Sequence, residues 1–123
     1  MQVEAGPRVL TLAVAGNPNS GKTTLFNRLT GMRQKVANYA GVTVERKEGE
    51  YTENGSRVHL IDLPGTYALT PQSEEQLIAA QIVLGLHPEV PPVDGVMVVV
   101  DSTNLERSLY LALQIIETGI PAM

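Results

Sequence analysis

The sequence predicts an α/β fold built on a mostly parallel sheet. Short apolar runs alternate with segments of helical periodicity along the 123 residues, and a glycine-containing turn separates the first predicted strand from the first predicted helix. The hydrophobic content of 43% is that of a globular domain or part of one. The chain has no cysteine, so disulfides, thiolate metal sites and cysteine nucleophiles are excluded. The longest purely apolar run, Val96 to Val100, is far shorter than the roughly 20 residues of a membrane helix, so we expect a soluble cytosolic module.

The first third of the chain predicts a strand, a helix and a loop. Val9 to Ala15 has the pattern of a buried strand that ends in a turn cluster. A helix is predicted from about Gly21 to Gly31, because apolar residues recur there at helical spacing. Residues 33–41 are polar, contain glycine and show no period, so we expect a mobile loop.

An antiparallel pair of strands is predicted next. Val42 to Tyr51 and Arg57 to Asp62 flank Glu53-Asn54-Gly55, and Asn-Gly is the strongest short signal for a β-hairpin. This pair would form one antiparallel edge on an otherwise parallel sheet.

The second half of the chain predicts a helix, a strand and another helix. Ser73 begins a capping-box spacing before an apolar helical stretch to about Leu84. Gly95 to Val100 has the pattern of a fully buried strand, and an amphipathic helix with Asn104 as its N-cap follows it. A further strand is expected to begin at residues 120–123, where the sequence stops. Strand 95–100 is therefore expected to have an uncovered edge, and residues 1–123 are interpreted as part of a domain.

Basic side chains concentrate in the first half of the chain. Residues 1–50 hold seven Lys/Arg and four Asp/Glu, whereas residues 51–123 hold two and nine. Anion binding is therefore expected in the first half. A nucleic-acid platform would need Lys and Arg spread along one face, so no nucleic-acid partner is expected.

The turn after the first strand matches the phosphate-loop pattern G-x-x-x-x-G-K-[ST]. Glycines allow backbone N–H groups to surround phosphates, the lysine reaches the β- and γ-phosphate oxygens, and the threonine hydroxyl ligates Mg²⁺. The N-terminus of the following helix adds its dipole. The residues of this motif are Gly16, Asn17, Pro18, Asn19, Ser20, Gly21, Lys22 and Thr23.

An Asp-x-x-Gly sequence follows the predicted strand that ends at Asp62. The carboxylate of Asp62 would hold Mg²⁺ through water, and the N–H of Gly65 would meet a γ-phosphate. Thr43, between the two motifs, would be a second Mg²⁺ ligand that closes when a γ-phosphate is present, or an ordinary strand threonine. Spacing alone leaves both interpretations of Thr43 open.

Four stretches of the chain resemble the N-terminal G domain of the FeoB family of bacterial ferrous-iron transport proteins. They are Asn19 to Asn27, Gly41 to Glu45, Asp62 to Tyr67 and Val100 to Arg107. The resemblance covers nearly the whole chain and implies a P-loop NTPase of the Ras-like G-domain type. It further implies a GTPase on the cytoplasmic face of the bacterial inner membrane, joined in the full-length protein to a membrane domain. The ligands it implies are GTP, GDP and Mg²⁺, and it is compatible with an oligomer.

The resemblance also implies roles for individual residues. Lys22 becomes a phosphate contact, Thr23 and Thr43 become Mg²⁺ ligands, and Gly65 heads the second switch. Asn19 falls where related potassium-activated GTPases have an asparagine that ligates K⁺. In those proteins the ion supplies the positive charge that an arginine finger supplies elsewhere. The alternative interpretation of Asn19 is a turn asparagine that caps the loop. The expected catalytic residues are Asn19, Lys22, Thr43 and Gly65. The expected nucleotide contacts are Gly16, Asn17, Pro18, Asn19, Ser20, Gly21, Lys22, Thr23, Thr24, Gly41, Val42, Thr43, Asp62 and Gly65.

The chain departs from the family pattern at three points. Ala40 stands where the family usually has a proline, which predicts a less restrained first switch. Thr66 stands where many GTPases have a glutamine that orients water, which predicts slow hydrolysis with water positioned by backbone groups or by another residue. The guanine-reading Asn-x-x-Asp motif, expected after Pro121, is not among the 123 residues, so guanine specificity rests on the resemblance. A soluble GTPase of ribosome assembly or tRNA modification would share the phosphate loop and stays open as an alternative.

Overall fold

The predicted α/β fold is confirmed by a computed structural model that describes residues 9–31 and 33–123. The strands form one sheet in the order β2-β3-β4-β1-β5. Strand β1 pairs in parallel with β4 and β5, whereas β3 pairs antiparallel with β2 and β4. In chain order the elements are β1 (Val9–Gly16), α1 (Lys22–Thr30), β2 (Gln34–Asn38), β3 (Glu45–Glu53), β4 (Ser56–Asp62), α2 (Glu74–Val83), β5 (Gly95–Val99) and α3 (Leu105–Glu117).

Strand β1 is buried on both faces, which explains its uninterrupted apolar run. Leu12 and Val14 pack in one cluster with Phe26 of α1. Ala13 and Ala15 belong to the larger cluster on the opposite face, where α2 and α3 cover the sheet. Strands covered on both faces lose the alternation of apolar and polar residues that an exposed face imposes.

The prediction of a loop over residues 33–41 was wrong, because β2 lies within that segment. Its residues pair with β3 from Gln34 opposite Gly49 to Asn38 opposite Glu45. All its side chains are exposed or half-buried, so no apolar period marks the strand in the sequence. Backbone hydrogen bonds to β3 form this strand rather than burial.

The strand predicted over residues 42–51 is confirmed in kind but displaced to Glu45–Glu53. Residues 39–44 form a turn instead, in which the N–H of Tyr39 donates to the carbonyl of Val44 at 3.0 Å. The hairpin itself is as predicted, with Asn54 at φ 53° and Gly55 at φ 79°. Asparagine and glycine are the residues that adopt this left-handed backbone most readily.

The predicted start of α2 is confirmed in detail, and that of α3 in part. The N–H of Gln76 donates to Ser73 Oγ at 3.1 Å, which is the N-cap half of a capping box, while Gln76 Oε1 accepts from the N–H of Gln72 at 3.0 Å. Asn104 stands at the N-cap of α3, but among the described residues its side chain accepts no capping bond. Asp101 accepts from the N–H of Thr103 at 2.9 Å instead and begins a 3₁₀ turn ahead of the helix.

The outer edge of β5 is partly paired, so the expectation of an uncovered edge was wrong. Val96 N–H donates to the carbonyl of Pro121 and Val98 N–H to that of Met123, each at 2.9 Å. Met123 N–H returns a bond to the carbonyl of Val96 at 3.0 Å, as in a parallel ladder. The pairing agrees with the strand expected to begin there. Within the described residues, no helix combines the length and the apolar character that crossing a membrane needs.

Candidate functional site

The phosphate loop joins β1 to α1 at the edge of the sheet where the parallel strands β1 and β4 end. Asn19 has φ 62° and Gly21 has φ 93°, so the loop turns through left-handed conformations. No side chain of the described residues caps the start of α1, which leaves the first N–H groups of the helix for an anion. A cleft of about 490 Å³ is lined by Asn17, Pro18, Asn19, Ser20, Gly21, Lys22, Thr23, Thr24 and Gly65.

The hydroxyl of Ser20 fits a phosphate ligand. Its Oγ is buried and has no hydrogen-bond partner among the described residues. A buried polar group without a partner costs about 1–3 kcal/mol, and a phosphate oxygen would supply that partner. Gly16 lies behind this hydroxyl, where a Cβ would sit 2.7 Å from Ser20 Oγ, so a larger residue would force the serine side chain to move.

Lys22 and Asp62 connect the two sequence motifs directly. Lys22 Nζ donates to Asp62 Oδ1 at 2.5 Å, and the side chains are only 9% and 10% exposed. The lysine that begins α1 is therefore held against the carboxylate that ends β4. A phosphate that reaches this ammonium group would share it with Asp62.

Gly65 lies against the backbone of the phosphate loop. A Cβ at Gly65 would sit 3.1 Å from Pro18 Cα and 3.2 Å from Pro18 N. Because these are backbone atoms, they have no rotamer by which to move aside. The close approach favours glycine at the end of the Asp-x-x-Gly motif, because any side chain there would press on the backbone of Pro18.

A second cleft, of about 330 Å³, adjoins the phosphate loop and brings together the residues predicted to hold Mg²⁺. Thr23, Thr43 and Asp62 all line it, beside Lys22 and Gly65. Two hydroxyls and a carboxylate are hard oxygen donors of the type that Mg²⁺ prefers. The donor set therefore fits this metal.

Gly41 and Val42 are not brought into these clefts. Gly41 occupies the turn after β2 with φ 78°, and Val42 packs against the larger hydrophobic cluster. Both residues precede Thr43 in the same turn, and the nucleotide contact expected of them stays a prediction.

Glu75 lines the second cleft and was missed by sequence reasoning. An acidic residue in the first turn of a helix is adequately explained by the helix dipole, so no local signal marks it as part of a site. Its position follows from how α2 packs beside the sheet.

The turn that carries Thr43 is anchored by Tyr39 and by Glu89. The ring of Tyr39 is buried, meets His87 edge-on with centroids 5.1 Å apart, and burial raises the pKa of its hydroxyl to about 12. The N–H of Ala40 donates to Glu89 Oε1 at 3.2 Å. A proline at position 40 would have no N–H for this bond. In this chain the hydrogen bond from Ala40 to Glu89 therefore restrains the turn, where the family usually has the ring of a proline.

Two polar side chains at the motifs are engaged away from the clefts. Asn17 is 1% exposed, and its amide is bonded to the carbonyl of Thr66 and to the hydroxyl of Ser108. Thr66 is also buried, and its hydroxyl donates to the carbonyl of Ala68 at 2.7 Å. The side chain of Asn17 is therefore held by Thr66 and Ser108, which leaves its backbone for the nucleotide contact expected of it.

A family model for ferrous iron transport protein B matches residues 10–123 of the chain. Among curated proteins, the Fe(2+) transporter FeoB of Escherichia coli is 53% identical over 119 residues, and that of Salmonella typhimurium is equally similar. In each case the match covers 93% of this chain but only 15% of the relative. The chain thus spans a small part of the length of these transporters.

Solved structures agree with this match. The G domain of the T. maritima FeoB iron transporter superimposes with a TM-score of 0.85 at 48% identity, covering 94% of this chain and 69% of that one. The cytosolic domain of the same transporter in GMPPNP form gives a TM-score of 0.80 at 40% identity, covering 92% and 55%. An S. thermophilus NFeoB mutant bound to GDP gives a TM-score of 0.82 at 48% identity, covering 93% of this chain and 42% of that one. The phosphate loop, the Asp-x-x-Gly motif and these similarities together show that the chain belongs to the family of ferrous iron transport protein B and has the fold of its G domain.

Proposed function

We propose that residues 1–123 are part of a regulatory G domain that binds GTP and hydrolyses it slowly. The domain would act on the cytoplasmic face of the bacterial inner membrane, with the membrane domain of a ferrous-iron transporter as its partner. The observation that carries this proposal is the adjoining pair of clefts at the ends of β1 and β4, where Lys22, Thr23, Asp62 and Gly65 meet Thr43. Related domains described in GDP and GMPPNP forms support guanine nucleotides as the ligands.

The phosphates would be held by the loop from Gly16 to Thr24. The backbone N–H groups of its left-handed turn and of the first turn of α1 favour an anion, and Lys22 adds a positive charge. The hydroxyl of Ser20 is a further donor. These groups would bind the phosphates of any nucleoside diphosphate or triphosphate. Selectivity for guanine is therefore inferred from the related domains in GDP and GMPPNP forms.

Mg²⁺ would be held by the hydroxyls of Thr23 and Thr43, and by Asp62 through water. When bound, the ion would neutralise negative charge on the β- and γ-phosphate oxygens. Thr43 is exposed and stands on a turn, so its approach to the ion can depend on the γ-phosphate. Gly65 lines the same cleft, and its backbone N–H would meet the γ-phosphate.

The surroundings of Thr66 support slow hydrolysis. Its hydroxyl proton is donated to Ala68 and its N–H to the carbonyl of Gly16 at 3.1 Å. Neither donor is free to orient a water beside the γ-phosphate. The water would therefore be positioned by other backbone groups or by another side chain, without the amide of a glutamine.

A titration with fluorescent GDP in the presence of Mg²⁺ tests the proposal, with unlabelled GDP and ADP as separate competitors. We expect displacement by GDP and little by ADP. Thr23→Ala should abolish the GTP hydrolysis that Mg²⁺ stimulates. Thr52 is an exposed threonine on β3, and Thr52→Ala should leave that hydrolysis unchanged. Equal displacement by both competitors, or no binding at all, would contradict the proposal.

We propose K⁺ as the second cation, with Asn19 as its ligand. Asn19 is exposed and lines the phosphate cleft, so its side-chain oxygen has access to the ligand. Because Asn19 has φ 62°, Asn19→Gly removes the side chain and keeps the backbone unstrained. Hydrolysis should be faster in KCl than in NaCl, and Asn19→Gly should bring the two rates together. Equal rates in the two salts for the unmodified chain would refute a role for K⁺.

A further inference from the structure

A chain of hydrogen bonds runs from Asp101, ahead of α3, to the segment that follows Gly65; its first bond is partly buried and the other two are buried. The N–H of Asp101 donates to Ser108 Oγ at 3.0 Å, and the hydroxyl of Ser108 donates to Asn17 Oδ1 at 3.1 Å. Asn17 Nδ2 then donates to the carbonyl of Thr66 at 2.9 Å. The amide of Asn17 therefore joins the phosphate loop to α3 and to the segment that follows Gly65.

The chemistry of the partners fixes the orientation of that amide. The carbonyl of Thr66 can only accept, so the NH₂ group of Asn17 must face it. The hydroxyl of Ser108 already accepts from Asp101, so its proton is available for the oxygen of Asn17. Asn17 and Ser108 are each 1% exposed, so water does not replace these partners and the bonds hold their geometry.

The segment after Gly65 rests on the same neighbours through further contacts. The guanidinium of Arg107 lies 4.3 Å from the ring centroid of Tyr67, and the N–H of Leu69 donates to Gln114 Oε1 at 2.8 Å. Both partners belong to α3. Residues 65–69 therefore bridge the phosphate loop and α3, and Asn17 stands where the bridge begins.

We propose that Asn17 is a positioning residue that holds the Asp-x-x-Gly segment on the phosphate loop and couples it to α3. One consequence of this role rests on the proposed function. A γ-phosphate that displaces Gly65 would change the hydrogen bonds that Ser108 makes with Asn17 and Asp101. Asn17 does not touch the phosphates with its side chain. Its amide instead sets where the backbone of Gly65 stands.

Amide hydrogen exchange measured on the 123-residue chain without nucleotide tests the tether. Asn17→Ala should speed exchange of the Thr66 N–H about tenfold relative to that of Leu60 in β4, because only the tethered segment opens. Asn17→Asp keeps an acceptor for Ser108 but cannot donate to Thr66, so it should behave like Asn17→Ala. An unchanged ratio of the two exchange rates in both variants would overturn the proposal.

A double-mutant cycle tests the link to α3. Ser108→Ala should speed exchange at Thr66 less than Asn17→Ala does, and the double variant should exchange no faster than Asn17→Ala alone, because Ser108 acts through Asn17. Ser102→Ala, which changes an exposed serine near the start of α3, is the matched control and should have no effect. Additive effects of the two substitutions would overturn the coupling.

The affinity for a GTP analogue relative to GDP is the functional readout. Asn17→Ala should lower this ratio about tenfold, because Gly65 no longer stands ready for a γ-phosphate. If the unmodified chain binds no guanine nucleotide, the proposed function fails while the exchange experiment still decides the tether. If the chain binds both nucleotides and Asn17→Ala leaves the ratio unchanged, the role of Asn17 in positioning Gly65 is refuted.

Discussion

Lys22→Met should destabilise the folded chain even in the absence of nucleotide. Lys22 Nζ and Asp62 Oδ1 are 2.5 Å apart, and both side chains are about nine-tenths buried. Removal of the lysine leaves the buried carboxylate of Asp62 without its ion-pair partner. A variant at the phosphate-loop lysine is therefore expected to change stability as well as ligand binding.

The size of the effect follows from the burial of the pair. Loss of one partner of a buried ion pair costs about 3–5 kcal/mol, because the remaining charge is uncompensated. We take the lower end, about 3 kcal/mol, since each side chain keeps some contact with water. For a domain of this size the urea m-value is roughly 2 kcal/mol/M, so the midpoint should fall by about 1.5 M.

Urea unfolding followed by circular dichroism, without nucleotide, is the assay. Lys22→Met combined with Asp62→Asn removes both charges and should recover most of the lost stability. Arg57→Met breaks the exposed pair of Arg57 and Glu50 and serves as the matched control, with no resolvable shift expected. A Lys22→Met midpoint within about 0.3 M of the unmodified chain, or a double variant no more stable than the single one, would refute the reasoning.

Three further predictions follow from the structure. Gly65→Ala should weaken binding of a GTP analogue about tenfold more than binding of GDP, because the new Cβ would press on the backbone of Pro18; equal losses would contradict this. Ser73→Ala should cost about 1 kcal/mol in thermal unfolding by removing the cap of α2, and Ser73→Asp should restore it. Burial lowers the pKa of His87, so its stabilising contribution is present above about pH 6.5 and is lost as the pH falls through the lower folded value. Urea midpoints at about pH 5 and pH 8 should therefore differ less in His87→Gln than in the unmodified chain, and an equal difference would refute the assignment.

The parts of the site that were predictable are those whose chemistry is local. The phosphate loop must supply glycines, a lysine and a hydroxyl within one turn between a strand and a helix, so its spacing alone identifies it. The Asp-x-x-Gly motif is recognisable because a carboxylate at a strand end precedes a glycine by a short, constant distance. Strand β1 was predictable for a similar reason, since burial on both faces produces an unbroken apolar run. Strand β5 has the same kind of run, although only Gly95 and Val96 are fully buried and its last three residues are half-buried.

The parts that were missed depend on partners far along the chain. Strand β2 exists because β3 offers it a backbone ladder, and no apolar period reveals that. Ala40 and Glu89 are 49 positions apart, and Asn17 and Ser108 are 91 positions apart. No spacing rule predicts such pairs, because the order of strands in the sheet and the packing of helices decide which of them meet.

The amino-acid sequence by itself determined the fold class, the phosphate loop and the second motif, because each follows from the burial or the chemistry of adjacent residues. Only the tertiary structure decided that Lys22 pairs with Asp62, that Thr43 joins their cleft, and that the side chain of Asn17 is turned to Thr66 and Ser108. Those contacts join elements that are distant in the chain. Lys22 and Asn17 meet their partners because β1 lies between β4 and β5 in the sheet, and Thr43 reaches the cleft on the turn between β2 and β3.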